Sequence, residues 1–169
     1  VVVHFGTTGL GKTLKAQEEA GDGAHWRDPV KQWWGDYAGE ENVVFDEFNG
    51  SWFPLDYLKR LFDRSPMRVE VKGSDVAFAA KTIWVTSNRE PWLWYPGAKE
   101  VDFYALVRRV DEWWAFREEG AYCFCGGDEL GRERYDRFVG FLNGGEPGVP
   151  RGWTRPFHGR LDVDSEEEL

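Results

Sequence analysis

The chain has 169 residues, 41% of them hydrophobic and 17% aromatic, and a formal net charge of −9. That length is one domain with enough chain to bury a proper core, and no apolar run approaches the ~20 residues of a membrane span. The acidic balance excludes a broad basic face, so contact with nucleic acid would run through a few placed lysines and arginines in a narrow channel. Asp162, Asp164, Glu166, Glu167 and Glu168 belong to the terminal DVDSEEEL, which reads as a solvated acidic tail. The opening VVVHFG lacks the basic start and cleavage site of a signal peptide. Cys123 and Cys125 in YCFCGG would alternate faces on a strand, so two reduced thiols are expected, as in an intracellular protein.

Val1 to Phe5 reads as a short strand entering the glycine-rich GTTGLGKT, and KTLKAQEE (12 to 19) as the helix leaving it. GDGAHWRDP (21 to 29) is a turn with a short strand at its centre, and KQWWGDYAGEE (31 to 41) is irregular and aromatic. NVVFDEF (42 to 48) is an apolar run ending in two carboxylates, which suits a strand buried on both faces of a parallel sheet. FPLDYLKRLFDRSP (53 to 66) predicts a helix with Pro54 in its first turn, a stripe of Leu55, Leu58, Leu61 and Phe62, and a stop at Pro66. MRVEV and DVAFA (67 to 71, 75 to 79) alternate around Lys72-Gly73-Ser74 as a hairpin with lysine at its tip. TIWVTSN (82 to 88) is a third buried strand ending in small polar residues. VDFYALVRRV predicts a helix, DEWWAFRE and AYCFC strands, DELGRERYDRFVGFLN a last helix, and the Gly/Pro content from 144 to 160 a loop. Strand and helix alternate throughout, which gives a mostly parallel α/β sheet with covered faces.

Gly6, Thr7, Thr8, Gly9, Leu10, Gly11, Lys12 and Thr13 satisfy the G-x-x-x-x-G-K-[ST] pattern. Its glycines let backbone N–H groups close around nucleotide phosphates at a helix N-terminus. Lys12 would reach the β/γ-phosphates and Thr13 would hold Mg²⁺. Asp46, at the C-terminal end of its strand, points into the crevice where ligands sit and would ligate Mg²⁺, directly or through water. Glu47 beside it would polarise an attacking water, which favours ATP hydrolysis over transfer to another acceptor. Asn88, closing the strand from Thr82, could hydrogen-bond the γ-phosphate or that water.

In this order the motifs resemble the superfamily 3 helicase domain of the replication-associated proteins of circovirus-like circular single-stranded DNA viruses. The likeness covers about residues 1 to 117. It includes KQWWGDYAGEENVVFDEFNG (31 to 50), RVEVKGSDVAFAAKTIWVTSN (68 to 88) and ALVRRV (105 to 110). It implies an AAA+-like P-loop NTPase: an α/β fold with a mostly parallel central sheet covered by helices and a DNA-binding β-hairpin. Residues 1–125 are expected to form the ATPase domain; 126–160, outside the likeness, is an extension to which no role is assigned, and 161–169 is the acidic tail. Lys72 at the hairpin tip, with Lys81 as a weaker candidate, would grip single-stranded DNA. Arg108 or Arg109 would reach a neighbouring subunit's γ-phosphate within a homo-hexamer, working on ATP and Mg²⁺ in a host nucleus. Trp33, Trp34 and Tyr37 could stack on adenine or DNA bases, or pack in a core or interface.

Three departures from the family stand out. Glu47 replaces an Asp often found in circovirus relatives. No His-x-His or Tyr-x-x-Lys of the family's nuclease domain occurs, and the helical collar before the glycine loop is missing. An excised or truncated domain is therefore expected, and a monomer for this fragment. Three rival readings stay open: a P-loop phosphotransferase, an RNA-directed superfamily 3 helicase, and a non-catalytic relic. The complete set Lys12, Thr13, Asp46, Glu47 and Asn88 opposes the last.

Overall fold

A computed structural model describes residues 1–31, 33–63, 65–118, 120–125, 132–142 and 153–154. In chain order the strands are β1 (Val2–Gly6), β2 (His25–Trp26), β3 (Asn42–Phe45), β4 (Arg68–Val71), β5 (Ser74–Ala77), β6 (Thr82–Ser87), β7 (Glu112–Arg117), β8 (Gly120–Cys125) and β9 (Trp153–Thr154). The helices are α1 (Lys12–Ala20), α2 (Leu55–Leu61), α3 (Glu100–Val107) and α4 (Arg132–Leu142), with a 3₁₀ turn at Pro91–Leu93.

Seven strands form one sheet in the order β2-β3-β6-β1-β7-β8-β9. The pairs from β2 through β7 are parallel, and β8 and β9 add antiparallel at one edge. The register sets Val3 against Val85 and Trp113, so the first strand lies at the sheet's centre. Parallel strands are stable when both faces are covered, and the side-chain alternation shows how that happens here. Val44 and Trp84 meet Ala16 and Ala20 of α1 on one face. On the other face Val3, Phe5, Phe45 and Val85 pack with Leu58 and Leu61 of α2, Leu106 and Val107 of α3, and Phe138 and Phe141 of α4. Central strands therefore read as near-continuous apolar runs, because a polar residue at either parity is buried, as His4, Thr86 and Ser87 are.

Helix α2 is shorter than the sequence predicts. Pro54 stands as its N-cap, and Leu58, Leu61 and Phe62 are buried while Leu55 is half-buried. β4 and β5 pair antiparallel across a two-residue turn, Lys72-Gly73, with Gly73 at φ +80°. Two residues of the expected loop between 144 and 160 are strand instead: Trp153 pairs with Phe124, and Thr154 follows it against Cys123. The remainder of that loop, the acidic tail and the start of the predicted last helix lie outside the described residues. Cys123 is disulfide-bonded and not the free thiol expected, while the side chain of Cys125 lies outside the described residues. Among the described residues, no helix is long and apolar enough to cross a membrane.

Candidate active site

The C-terminal ends of β1, β3 and β6 converge on one edge of the sheet, where α1 begins. Between β1 and α1 the chain must turn back within a few residues, and Gly6, Gly9 and Gly11 do so at φ +125°, +82° and +86°. Gly6 is constrained twice, since a Cβ there would stand 2.1 Å from the carbonyl oxygen of Phe116 on β7.

Lys12 is 5% exposed. Its Nζ donates to the carbonyl oxygens of Gly6 at 2.9 Å and Thr7 at 2.6 Å, so the ammonium sits within the curl of the loop. Burial lowers its pKa, and Asp46 and Glu47 act against that shift. The loop thus carries a partly desolvated cation, which favours an anionic ligand, while Asp46 and Glu47 nearby oppose one unless a cation offsets them.

Asp46 is the hub of the site. Its Oδ1 accepts from Thr13 Oγ1 at 2.8 Å and from Thr86 Oγ1 at 2.6 Å, and Thr86 Oγ1 in turn accepts from the Glu47 backbone N–H at 2.9 Å. Three elements are tied by this one carboxylate: α1 through Thr13, β6 through Thr86 and the end of β3 through Asp46 itself. Glu47 has φ +58°, the positive φ found outside glycine among the described residues. Left-handed backbone costs of order 1 kcal/mol for such a residue and tends to persist where a site fixes it. The hydrogen bond from its N–H to Thr86 holds it there. Thr8, Gly9, Gly11, Lys12, Thr13, Leu14, Glu47, Thr86 and Asn88 line a cavity of about 210 Å³.

The donor set suits Mg²⁺. That ion takes one or two protein oxygens and completes its shell with water and substrate phosphates, and Thr13 Oγ1 and Asp46 Oδ1 stand side by side. Among the described residues no cluster of three or more His, Cys, Asp or Glu could hold a metal.

The remaining predicted residues lie elsewhere. Lys72 is exposed at the β4–β5 turn. Lys81, just before β6, pairs with Glu41 at 2.6 Å. Arg108 and Arg109 end α3 and line a cavity with Val1 and Asp111, at the opposite end of β1 from the glycine loop. Arg109 bonds the Ala105 carbonyl and meets Asp63 at 3.2 Å. Within one chain these arginines do not reach the cavity that Lys12 lines. Trp34 and Tyr37 are 3% and 2% exposed and pack with Phe45, Phe53 and Phe78, so they are core. Trp33 alone of the three has an exposed ring.

Sequence reasoning missed Thr86 as the link between Asp46 and Glu47. A hydroxyl facing inward on an otherwise apolar strand was its signal. It also missed His4, fully buried on the α1 face, whose Nδ1 lies 3.3 Å from the Lys12 carbonyl oxygen. Burial pushes its pKa down to about 4.

A glycine loop, an acidic strand end and a polar strand end on one parallel sheet define a helicase-type α/β domain, and the family comparison agrees. Residues 2–89 match the RNA helicase family model, and the chain belongs to that family, the superfamily 3 helicase domains. It is 42% identical over 120 residues to the replication-associated protein of goose circovirus, covering 71% of this chain and 40% of that protein. It is 43% identical over 111 residues to that of porcine circovirus 2, covering 65% and 35%. To that of human associated cyclovirus 1 it is 34% identical over 113 residues, covering 64% and 40%. The chain thus spans well under half the length of these relatives.

Proposed function

We propose that this domain is the ATP-dependent motor of a viral rolling-circle replication initiator, hydrolysing ATP to move on single-stranded DNA. The observation that carries the reading is the meeting of Lys12, Thr13, Glu47, Thr86 and Asn88 around one cavity, with Asp46 bonded to two of them. The parallel order β2-β3-β6-β1-β7, with the glycine loop after the central strand, supports an AAA+-like P-loop fold.

In this reading the loop N–H groups and Lys12 bind the β/γ-phosphates of ATP. Thr13 and Asp46 hold Mg²⁺, which would supply charge neutralisation on the phosphate oxygens. Glu47, exposed at the cavity wall, orients and deprotonates the water, and Asn88 bonds the γ-phosphate or that water. Arg108 or Arg109, remote from its own chain's cavity, serves a neighbouring subunit in a homo-hexamer formed by the full-length protein. Lys72, on the exposed β4–β5 turn, contacts DNA phosphates, and Lys81, engaged with Glu41, is the weaker candidate. Similarity to viral replication-associated proteins supports DNA as the track and a host nucleus as the setting.

A second reading keeps the motor and replaces DNA with RNA, favoured by the description of the matching family. Phosphate release from ATP, measured across protein concentrations with single-stranded DNA or RNA of one sequence, decides between them. DNA stimulation with turnover rising steeply in concentration is expected. Lys12→Ala and Glu47→Gln should each lose roughly 10²-fold or more in turnover. Arg109→Ala should lose ~10³-fold and regain activity when mixed with Lys12→Ala. Turnover indifferent to nucleic acid and concentration, with Arg109→Ala fully active, would leave a solitary ATPase and sink the ring motor.

A further inference from the structure

Arg117 and Glu90 form an ion pair that the site described above does not use. Arg117 closes β7, and Glu90 lies just past β6. These are the two strands that flank β1 in the sheet. Arg117 Nη2 meets Glu90 Oε1 at 2.8 Å, with the side chains 13% and 18% exposed. On its way the guanidinium crosses the end of β1. Its carbon lies 5.8 Å from the centre of the Phe5 ring, and its Nη1 would be 2.9 Å from a Cβ placed on Gly6. The pair is therefore a strap over the first residue of the glycine loop.

Glu90 is two residues beyond Asn88. The same short turn is anchored on its other side by Ser87, whose Oγ donates to the Phe48 carbonyl and accepts from Trp94 Nε1 at 2.9 Å and from the Arg89 N–H at 3.1 Å. Asn88 itself is exposed at the cavity wall between these two anchors. A buried ion pair is a poor source of net stability, because desolvation consumes most of the Coulomb gain. Here that gain is smaller still: among the described residues, Arg117 Nε and Glu90 Oε2 have no hydrogen-bond partner. Burial raises the Glu90 pKa, against the pull of Arg117. What such a pair does supply is a fixed distance between the groups it joins.

We infer that Arg117 is a positioning residue: through Glu90 it fixes Asn88 relative to the glycine loop across β1. The inference rests on the ATPase reading of the cavity. It requires that loss of the strap lower the rate of hydrolysis through Asn88 and leave nucleotide binding nearly intact.

The test measures kcat for ATP, Kd for a non-hydrolysable ATP analogue with Mg²⁺, and thermal midpoints. The proteins are wild type, Lys12→Ala, Asn88→Ala, Glu90→Gln, Arg117→Lys, Arg117→Ala and the double variant Asn88→Ala/Arg117→Ala. Glu90→Gln and Arg117→Ala should each lower kcat by roughly tenfold or more, with Kd changed by less than about threefold. Arg117→Lys should recover part of the loss, and Arg117→Ala should add nothing to Asn88→Ala. Glu90→Gln is nearly isosteric, so it reports even if Arg117→Ala folds poorly. An active wild type with an inactive Lys12→Ala, but with Glu90→Gln at full rate, overturns the strap alone. So does a full multiplicative loss in the double variant, or a loss confined to Kd. Turnover equal in wild type and Lys12→Ala overturns the ATPase reading, and the strap with it.

Discussion

At Gly6 the demands of the loop and of the sheet fall on one residue. The φ of +125° already disfavours a side chain, and a Cβ would collide with the Phe116 carbonyl oxygen, which is backbone of the next strand and cannot swing away. Gly6→Ala should therefore cost at least ~2 kcal/mol, read as a lowered urea midpoint, while a Cβ at Gly9 meets nothing within 4 Å. His4 makes a different prediction. Its folded pKa is lowered from 6.5 to about 4 by burial, so the folded chain holds it neutral while the unfolded chain takes up a proton first. Its contribution is present above pH 6.5 and is lost as pH falls toward 4, up to roughly 3 kcal/mol. Urea unfolding at pH 7.5 and 5 should show a smaller difference for His4→Leu than for wild type. His25, also lowered by burial, titrates in both chains and cancels in that comparison.

Elements are held by what their side chains meet across the sheet. The described residues between 31 and 41 carry no helix or strand, yet Trp34 stacks on Phe53 at 6.2 Å and meets Phe78 edge-on at 5.2 Å. Tyr37 Oη donates to the Glu40 carbonyl and accepts from the Ala79 N–H, at 3.0 and 2.9 Å. The segment is thus a lid over the β3 side of the core and fastens the β4–β5 pair to it. Trp34→Ala should destabilise by ~3–5 kcal/mol, whereas Trp33→Ala at an exposed ring should change stability by less than about 0.5 kcal/mol. Denaturant midpoints of the two variants check both. The sequence showed these aromatics but not which ring faced inward, because without a helical or strand period there is no parity to read.

Across the whole molecule, α4 belongs to the same core as the glycine-loop half. Phe138 lies 4.7 Å from the Trp113 ring on β7 and is fully buried, and Phe141 packs on Phe124. Phe138→Ala should lower the unfolding midpoint of the entire domain by ~3–5 kcal/mol, in one transition shared by tryptophan fluorescence and far-UV circular dichroism. Two separated transitions would show that α4 folds as an independent unit.

Local chemistry determined much of the site before any fold was known. Glycines that alone tolerate the loop's φ values, a lysine and threonine opening a helix, and carboxylates ending an apolar strand are written in consecutive residues. Their meaning survives without the rest of the chain, as does the buried character of the parallel strands. Tertiary structure decided what no spacing could: that β1 lies between β6 and β7, that Thr86 completes the Asp46 network, and that Arg117 reaches Glu90 over Gly6. It also decided that Arg108 and Arg109 stand at the far end of the sheet from their own cavity. The reason is physical. Residues joined through strand order are distant in sequence, and that order follows from which apolar faces the whole chain can bury together.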